Sequence, residues 1–503
     1  MKKNLKKISS ELLLLIFFIF LGFYFRYLNL FFEDYWIDEM LSFSHADPNI
    51  SFSETLNRIK SGEWSPPLFF LILKYIFKFF QYHPDTGRYF VMIVGVLAIP
   101  LAFLISKELE PKKSAILFSF FICTNIFLIN YSQEVRVYTL LFFICLLNIF
   151  LFLKILNERE NKKKFNIFAS CLFVVNILGF LTHPFFFILL TTEISYCLIR
   201  IFFKEKKLFK IILILIFSLI VSFLIQYDYF LWSKVDEDNY WMRSSDYLNI
   251  EFFTDFYFRQ FFGSKIMGAI YFFTLVSLMF IFRKKIIYSS HYLIFVLMIF
   301  FSYLIPIFYG FIIMPVLHDR YIMFVLIPIF VLLSALIYEL ENMKTKRVLI
   351  SILVITTLSN LYLEIANKNY HHKPRTANLL NSIAETSKDK NLINIYIDQE
   401  DGIPTFSDYV VKLDEFVKNN FQMIKKNQIS SVDDFWAICY IDVCITGTCY
   451  KDLANEHLGT EIPNWQINLC SNMKGVSNEF KVKKILGKYS NPFHKVIGRH
   501  YTK

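Results

Sequence analysis

Apolar runs of about 20 residues, the length that carries a helix across a bilayer, recur from the N-terminus to about residue 364 and then stop. No other feature constrains the fold as strongly. A backbone in hydrocarbon must satisfy its own hydrogen bonds, and repeated runs of this length do so as packed α-helices. The runs are read at residues 11–31, 89–106, 114–130, 138–156, 165–182, 184–203, 209–231, 264–282, 289–312, 321–338 and 347–364, which predicts about eleven crossings. The 60 Phe set against only 14 Gly and 14 Pro exclude both an ordinary soluble enzyme and a disordered chain.

The basic segments MKKNLKK, KELEPKK, NERENKKK, KEKKLFK, RKK and ENMKTKR all fall on one face of this arrangement. Positive loops stay in the cytoplasm, so the N-terminus is expected inside and the tail outside. These segments also account for much of the net charge of +11, and no nucleic-acid surface is expected. The first run has the basic start of a signal peptide, but no small-residue cleavage site precedes RYLNLFFEDYW, and it is kept as a span.

Two domains follow. Residues 1–364 form a transmembrane domain with an external loop at 32–88, and residues 365–503 form an extracytoplasmic soluble domain. In the tail, NLINIYID and FWAICYIDVC read as strands beside the amphipathic SDYVVKLDEFVKNNFQMIKK, which predicts a small α/β fold. Cys439, Cys444, Cys449 and Cys470 lie there and fit two disulfides in any of three connectivities, or a zinc site, although C-x4-C-x4-C lacks the usual close pairs. Cys123, Cys145, Cys171 and Cys197 lie in apolar runs and read as packing residues. The run from Pro67 to Tyr82 is too short to cross and reads as an interfacial helix with Lys74 and Lys78 reaching toward headgroups. Trp232, Tyr240 and Trp241 read as an aromatic belt, with stacking on sugar faces as the other reading.

Charges cost about 2.5–3.5 kcal/mol at the centre of a membrane helix, so those at span ends and in very short turns ask for a reason. Four places stand out on the predicted outer face: WIDE (Asp38, Glu39), NYSQEVRVY (Glu134, Arg136), LTHPF (His183) and LHDRYIM (His318, Asp319, Arg320). Any one alone is as well explained as a solvated helix end. Together they supply carboxylates, guanidinium groups and imidazoles, a set suited to removing a proton and holding a phosphate. Glu193, the one carboxylate well inside a span, is expected to meet a partner on a neighbouring helix.

In order along the chain, WIDEMLSFSHA, WSPPLFFLILKYIFKFF, GRYFVMIVGVLAIPLAFLISKEL, NYSQEVRVYTLLFF, LTHPFFFILL and DRYIMFVLIPIFVLLSALI resemble the protein O-mannosyltransferase-like, bacterial family 39 glycosyltransferases. These are membrane enzymes of GT-C architecture whose relatives include transferases that modify lipid A. The resemblance spans roughly residues 10–340 and implies a polytopic helical GT-C fold and a polyprenyl-phosphate monosaccharide donor at the outer leaflet. It puts Asp38 in the catalytic position with Glu39 beside it. Arg136 and Arg320, with Arg88, Glu134 and His183, then become donor-phosphate or site-organising groups. Where relatives have His-Pro-Pro this chain has Ser65-Pro66-Pro67, which leaves that loop without its imidazole.

The expected activity is therefore transfer of a hexosyl or pentosyl group from a lipid phosphate to a hydroxyl of a protein, lipid or glycan acceptor, with membrane lipids as the surroundings. Direct attack opposite the leaving phosphate inverts the anomeric carbon and needs one base, the role given to Asp38. Neighbouring side chains point to different faces of a helix or strand, so Glu39 is expected to orient another group. No cofactor is called for, and no compact His/carboxylate set demands a metal. An oligosaccharide ligase or polymerase is the nearest alternative; a lipid or sugar transporter is the alternative of another class, which scarce Gly and one-sided charges do not favour.

Overall fold

The computed structural model describes residues 10–35, 37–63, 65–203, 205, 208–227, 254–288, 291–366, 376–397, 421–424, 426–442, 481–486 and 494–503. They divide between two compact units, Met1–Leu28, Pro48–Gln81 and Thr86–Ala366 in the first and Asn29–Asp47, Tyr82–Asp85 and Asn367–Lys503 in the second.

The first unit is helical. Among the described residues, six helices are long and apolar enough to cross a membrane: α1 (Ser10–Tyr27), α5 (Pro84–Lys107), α8 (Tyr138–Asn157), α9 (Lys162–Thr182), α14 (Tyr292–Ile312) and α16 (Met343–Ala366). The chain is thus a multi-pass membrane protein. The remaining predicted spans are helical but shorter: α10 (Phe186–Phe202), α11 (Phe209–Ile225), α12 (Lys265–Ile281) and α15 (Leu326–Glu339). A helix that is apolar all round belongs in a core, and α15 is one: every residue from Leu326 to Ile337 is buried. By contrast α1 turns Leu13, Phe17, Phe20 and Tyr24 outward, a lipid-facing row at helical spacing.

The predicted third span is broken. It consists of α6 (Ala115–Thr124) and α7 (Ile126–Tyr131), separated by Asn125 in an extended conformation. The Asn125 side chain accepts from the amide of Leu128, capping α7, and donates to the carbonyl of Phe261 at 2.7 Å. Breaking a helix leaves its last carbonyls without partners, and Arg26, fully buried in α1, answers two of them, donating to Ile122 at 2.9 Å and Cys123 at 3.2 Å. A cation at the negative end of a helix dipole is favourably placed.

Polar groups also join helices deeper in the unit. Asn148 of α8 donates to Asn176 of α9, which donates to Ser218 of α11, the kind of interhelical bond that holds membrane helices together. Glu193 is fully buried in α10. Three of the four apolar-run cysteines are buried, whereas Cys171 is exposed.

The segment after the predicted first span forms three short helices, α2 (Ile37–His45), α3 (Phe52–Gly62) and α4 (Leu68–Phe79). At 12 residues, or about 18 Å, α4 is too short to span a bilayer. It buries Phe69, Phe70, Leu73 and Phe77 within the first unit, and Lys74 donates to the carbonyl of Ile50 at 2.8 Å.

The second unit holds a five-stranded mixed sheet of order β2-β1-β3-β5-β4, built from β1 (Ile393–Ile397), β2 (Phe421–Met423), β3 (Asp434–Asp442), β4 (Lys481–Leu486) and β5 (His494–Thr502). β1 is parallel to β2 and β3, while β5 runs antiparallel to β3 and β4. Alternate residues of the central β3 enter opposite cores. Trp436 and Ile438 pack with α17 (Thr376–Thr386) and with Met40 of α2, whereas Phe435 and Ala437 pack with Tyr396, Ile429 and Tyr501. Both predicted strands are present, as β1 and β3. Trp232, Tyr240, Trp241, the side chain of Cys439, and Cys444, Cys449 and Cys470 lie outside the described residues.

Candidate active site

Three of the four charged turns meet in the first unit. The turn between α7 and α8 carries Glu134 and Arg136, the turn after α9 carries His183, and the segment after α14 carries His318, Asp319 and Arg320. Glu134, Arg136, His183 and Asp319 are buried, with His318 and Arg320 half-buried. The turns join through an aromatic patch. The ring of Tyr321 lies 5.3 Å from those of His183 and His318 and 5.9 Å from that of Tyr138. The Arg320 guanidinium sits over Tyr138 at 5.5 Å and Tyr321 at 5.6 Å. Such placement attracts a cation to the ring face and holds the guanidinium fork in one plane.

Local hydrogen bonds fix each turn. Thr139 donates to the carbonyl of Tyr131 at 2.7 Å, tying the end of α7 to the start of α8. The amide of Phe185 donates to Nδ1 of His183 at 3.2 Å, and the amide of Arg320 to the Asp319 carboxylate at 2.6 Å. Nδ1 of His318 contacts the Asp319 carboxylate. The start of α5 abuts the first turn so closely that a Cβ at Gly87 would lie 2.9 Å from Val135. Arg88, next in α5, is buried.

Arg136 is gripped by a carboxylate outside the four charged turns, that of Glu63. Its Nη1 and Nη2 donate to the two carboxylate oxygens of Glu63 at 2.8 and 2.9 Å, the two-pronged geometry that guanidinium and carboxylate share. Glu63 stands at the end of α3, just before Ser65-Pro66-Pro67. An acid near that motif was the available signal.

The electrostatics are those of a largely buried cluster with two guanidinium cations. Burial, with Arg136 and Arg320 adding to it, lowers the pKa of His183 to about 3, so its ring is neutral near pH 7. Among the described residues no three His, Cys, Asp or Glu side chains gather in a metal-ligating group.

Asp38 and Glu39 belong to the second unit. They occupy the first turn of α2, where the helix dipole favours carboxylates. Successive residues on a helix point about 100° apart, and here Asp38 is half-buried while Glu39 is buried. Ser42 donates to the carbonyl of Asp38 at 3.0 Å, closing the turn.

No protein-family model matches the chain, and no curated protein sequence matches it. Solved structures do. ArnT from Cupriavidus metallidurans, crystallised bound to undecaprenyl phosphate, superposes with a TM-score of 0.54 at 9% identity, over 96% of this chain and 97% of that one. Its apo form gives 0.55 at 10% identity, over 97% and 98%. An Archaeoglobus fulgidus oligosaccharyltransferase, in complex with Zn and sulfate, gives 0.50 at 10% identity, over 96% of this chain and 72% of that one. At these identities the likeness is one of fold, and it extends over both the helical membrane part and the C-terminal sheet. The polytopic helical fold with a C-terminal sheet, expected from the sequence, is the fold that this chain shares with those membrane proteins.

Proposed function

We propose that this protein is a membrane glycosyltransferase that moves a sugar from a polyprenyl-phosphate monosaccharide to a hydroxyl acceptor on the extracytoplasmic face of a bacterial cytoplasmic membrane. One observation carries the reading: three turns far apart in sequence place Arg136 and Arg320 in one buried, aromatic-lined cluster. In the same fold, ArnT has been crystallised bound to undecaprenyl phosphate, and the archaeal oligosaccharyltransferase AglB has been solved in complex with an inhibitory peptide and a dolichol-phosphate. Those ligands support a lipid-phosphate donor and an acceptor here.

In the proposed reaction the bond from the anomeric carbon to the donor phosphate breaks, and its electron pair leaves with the phosphate. Arg136 and Arg320 stabilise the charge that grows there. The acceptor oxygen bonds to the opposite face of the anomeric carbon, inverting it, and its proton passes to Asp38 as general base. Glu39 orients the acceptor or a cation, while Arg88, Glu134 and neutral His183 organise the donor side. Residues 1–364 are the catalytic membrane domain, with the N-terminus cytoplasmic and residues 365–503 extracytoplasmic.

The test is transfer of a labelled sugar from a synthetic polyprenyl phosphate to envelope acceptors in vesicles carrying the full chain. Asp38→Asn is expected to insert normally and lose transfer; full activity would refute the base assignment. Movement of the sugar lipid across the vesicle without any transfer product would replace the enzyme reading with a transporter.

A further inference from the structure

The helix that carries Asp38 and Glu39 is anchored by a residue from each of its turns. Met40, 4% exposed, is buried among Leu379, Leu380 and Ile383 of α17 and Ile395, Trp436 and Ile438 of the sheet. One turn later Phe43 stacks on Tyr82 with ring centres 4.1 Å apart and planes within 11°, and the Tyr82 hydroxyl donates to the carbonyl of Phe43 at 3.2 Å. Tyr35, just ahead of the helix, packs at the edge of the Met40 cluster and bonds Asp85 through its hydroxyl.

Nine residues do not hold a helix alone in water. The helical state and the heading of α2 therefore come from these contacts, and most of the apolar ones are supplied by chain that follows the last membrane helix. The floor under Met40 is itself fixed. Trp436 is fully buried, donates through its indole N–H to Ser387 at 3.2 Å, and stacks on His500 at 4.7 Å. His500 in turn bonds the Asp434 carboxylate at 2.8 Å.

We propose that the C-terminal sheet serves as the platform that aims the Asp38–Glu39 helix, with Met40 as its positioning residue. The role in transfer rests on Asp38 being the base, as proposed above; the mechanical role does not. Met40 is the next residue after Glu39 on the same turn, so a shift of its side chain in the core moves both carboxylates. A misplacement of about 1 Å in a catalytic constellation costs up to roughly 100-fold in rate.

The experiment uses the full chain in lipid vesicles and compares Met40→Ala, Met40→Leu and Ile429→Ala. Ile429 lies in the core on the opposite face of the same sheet, so its variant loosens the domain without touching α2. Amide hydrogen exchange over residues 38–45 and steady-state transfer are read for each. The proposal expects Met40→Ala to speed exchange in α2 and lower kcat by about 10- to 100-fold with KM for the donor unchanged, Met40→Leu to restore both, and Ile429→Ala to leave both near the parent value. Equal losses in Met40→Ala and Ile429→Ala, or unchanged exchange in Met40→Ala, overturn it. If Asp38→Asn stays active while Met40→Ala still loosens α2, the base assignment has failed and the platform has not.

Discussion

Glu63 and Arg136 lock together through two parallel hydrogen bonds of 2.8 and 2.9 Å, with each side chain only 6% exposed. Breaking such a buried pair from one side typically costs about 3–5 kcal/mol, because the surviving charge keeps its desolvation penalty. Glu63→Gln is therefore expected to lower the thermal midpoint markedly and to weaken donor binding. Arg136→Lys keeps the charge but not the fork, and is expected to fall between parent and Arg136→Ala in both measurements. A double-mutant cycle of Glu63→Gln with Arg136→Lys, read by unfolding in detergent, checks the coupling, and near-additive losses would show that the pair does not act as a unit.

Arg26 makes a different use of burial. It donates to the carbonyls of Gly22, Ile122 and Cys123, two of them exposed by the break in the predicted third span. Hydrogen bonds from a charged donor contribute about 1.5–3 kcal/mol each, and Arg26→Met forfeits all three. The expected result is a protein that inserts but loses α6 as a stable helix, detected as faster hydrogen exchange at residues 115–124. Gly95→Ala tests the same contact from α5, since its Cβ would lie 2.6 Å from that of Ser132 and 3.0 Å from Nε of Arg26.

How much of this was legible in the sequence depends on the kind of signal. Charges in an apolar chain are conspicuous, so Arg136, His183 and Arg320 were found at once, and the fold brings their turns together through Tyr138 and Tyr321. Glu63 carries no signal of its own, because it ends α3, a helix whose exposed Glu54–Arg58 pair reads as ordinary solvated surface. The break at Asn125 is invisible to hydropathy, which does not register that a single amide side chain caps α7. Arg26 falls inside the predicted first span, residues 11–31, where hydropathy gives it no role, and the break between α6 and α7 supplies the carbonyls it bonds. Both strands at Ile393–Ile397 and Asp434–Asp442 were legible from β-branched and aromatic runs. The packing of Met40 against Trp436 was not, because no local pattern pairs residues so far apart in sequence.

His183 gives the candidate site a definite pH response. The fold lowers its pKa from 6.5 to about 3, first by burial and then by Arg136 and Arg320. The folded state therefore refuses a proton that the unfolded chain accepts below about pH 6.5, and the associated stability is complete above that value and declines as the pH falls toward 3. His183→Gln, which cannot take the proton, is expected to flatten the drop in thermal midpoint between about pH 7 and pH 4.5. A slope identical to that of the parent would mean that the ring is protonated in the folded protein.

Asp434 sets a separate acid limit for the sheet. Burial alone would raise its pKa, but hydrogen bonds from His500 and Lys390 outweigh that and hold the carboxyl below its usual value of 3.8. A depressed carboxylate contributes stability that is present above the unfolded pKa and lost as the pH falls through the lower folded one. Because Lys390 is more than a third exposed, part of its attraction is screened by solvent and salt. The larger share falls to His500, which also stacks on Trp436 beneath Met40. Asp434→Asn is thus expected to loosen the β3–β5 pairing near neutral pH and to remove part of the acid-dependent loss below about pH 4. Limited proteolysis of the full chain in vesicles reads both effects, and equal resistance of parent and variant at every pH would rule the contribution out.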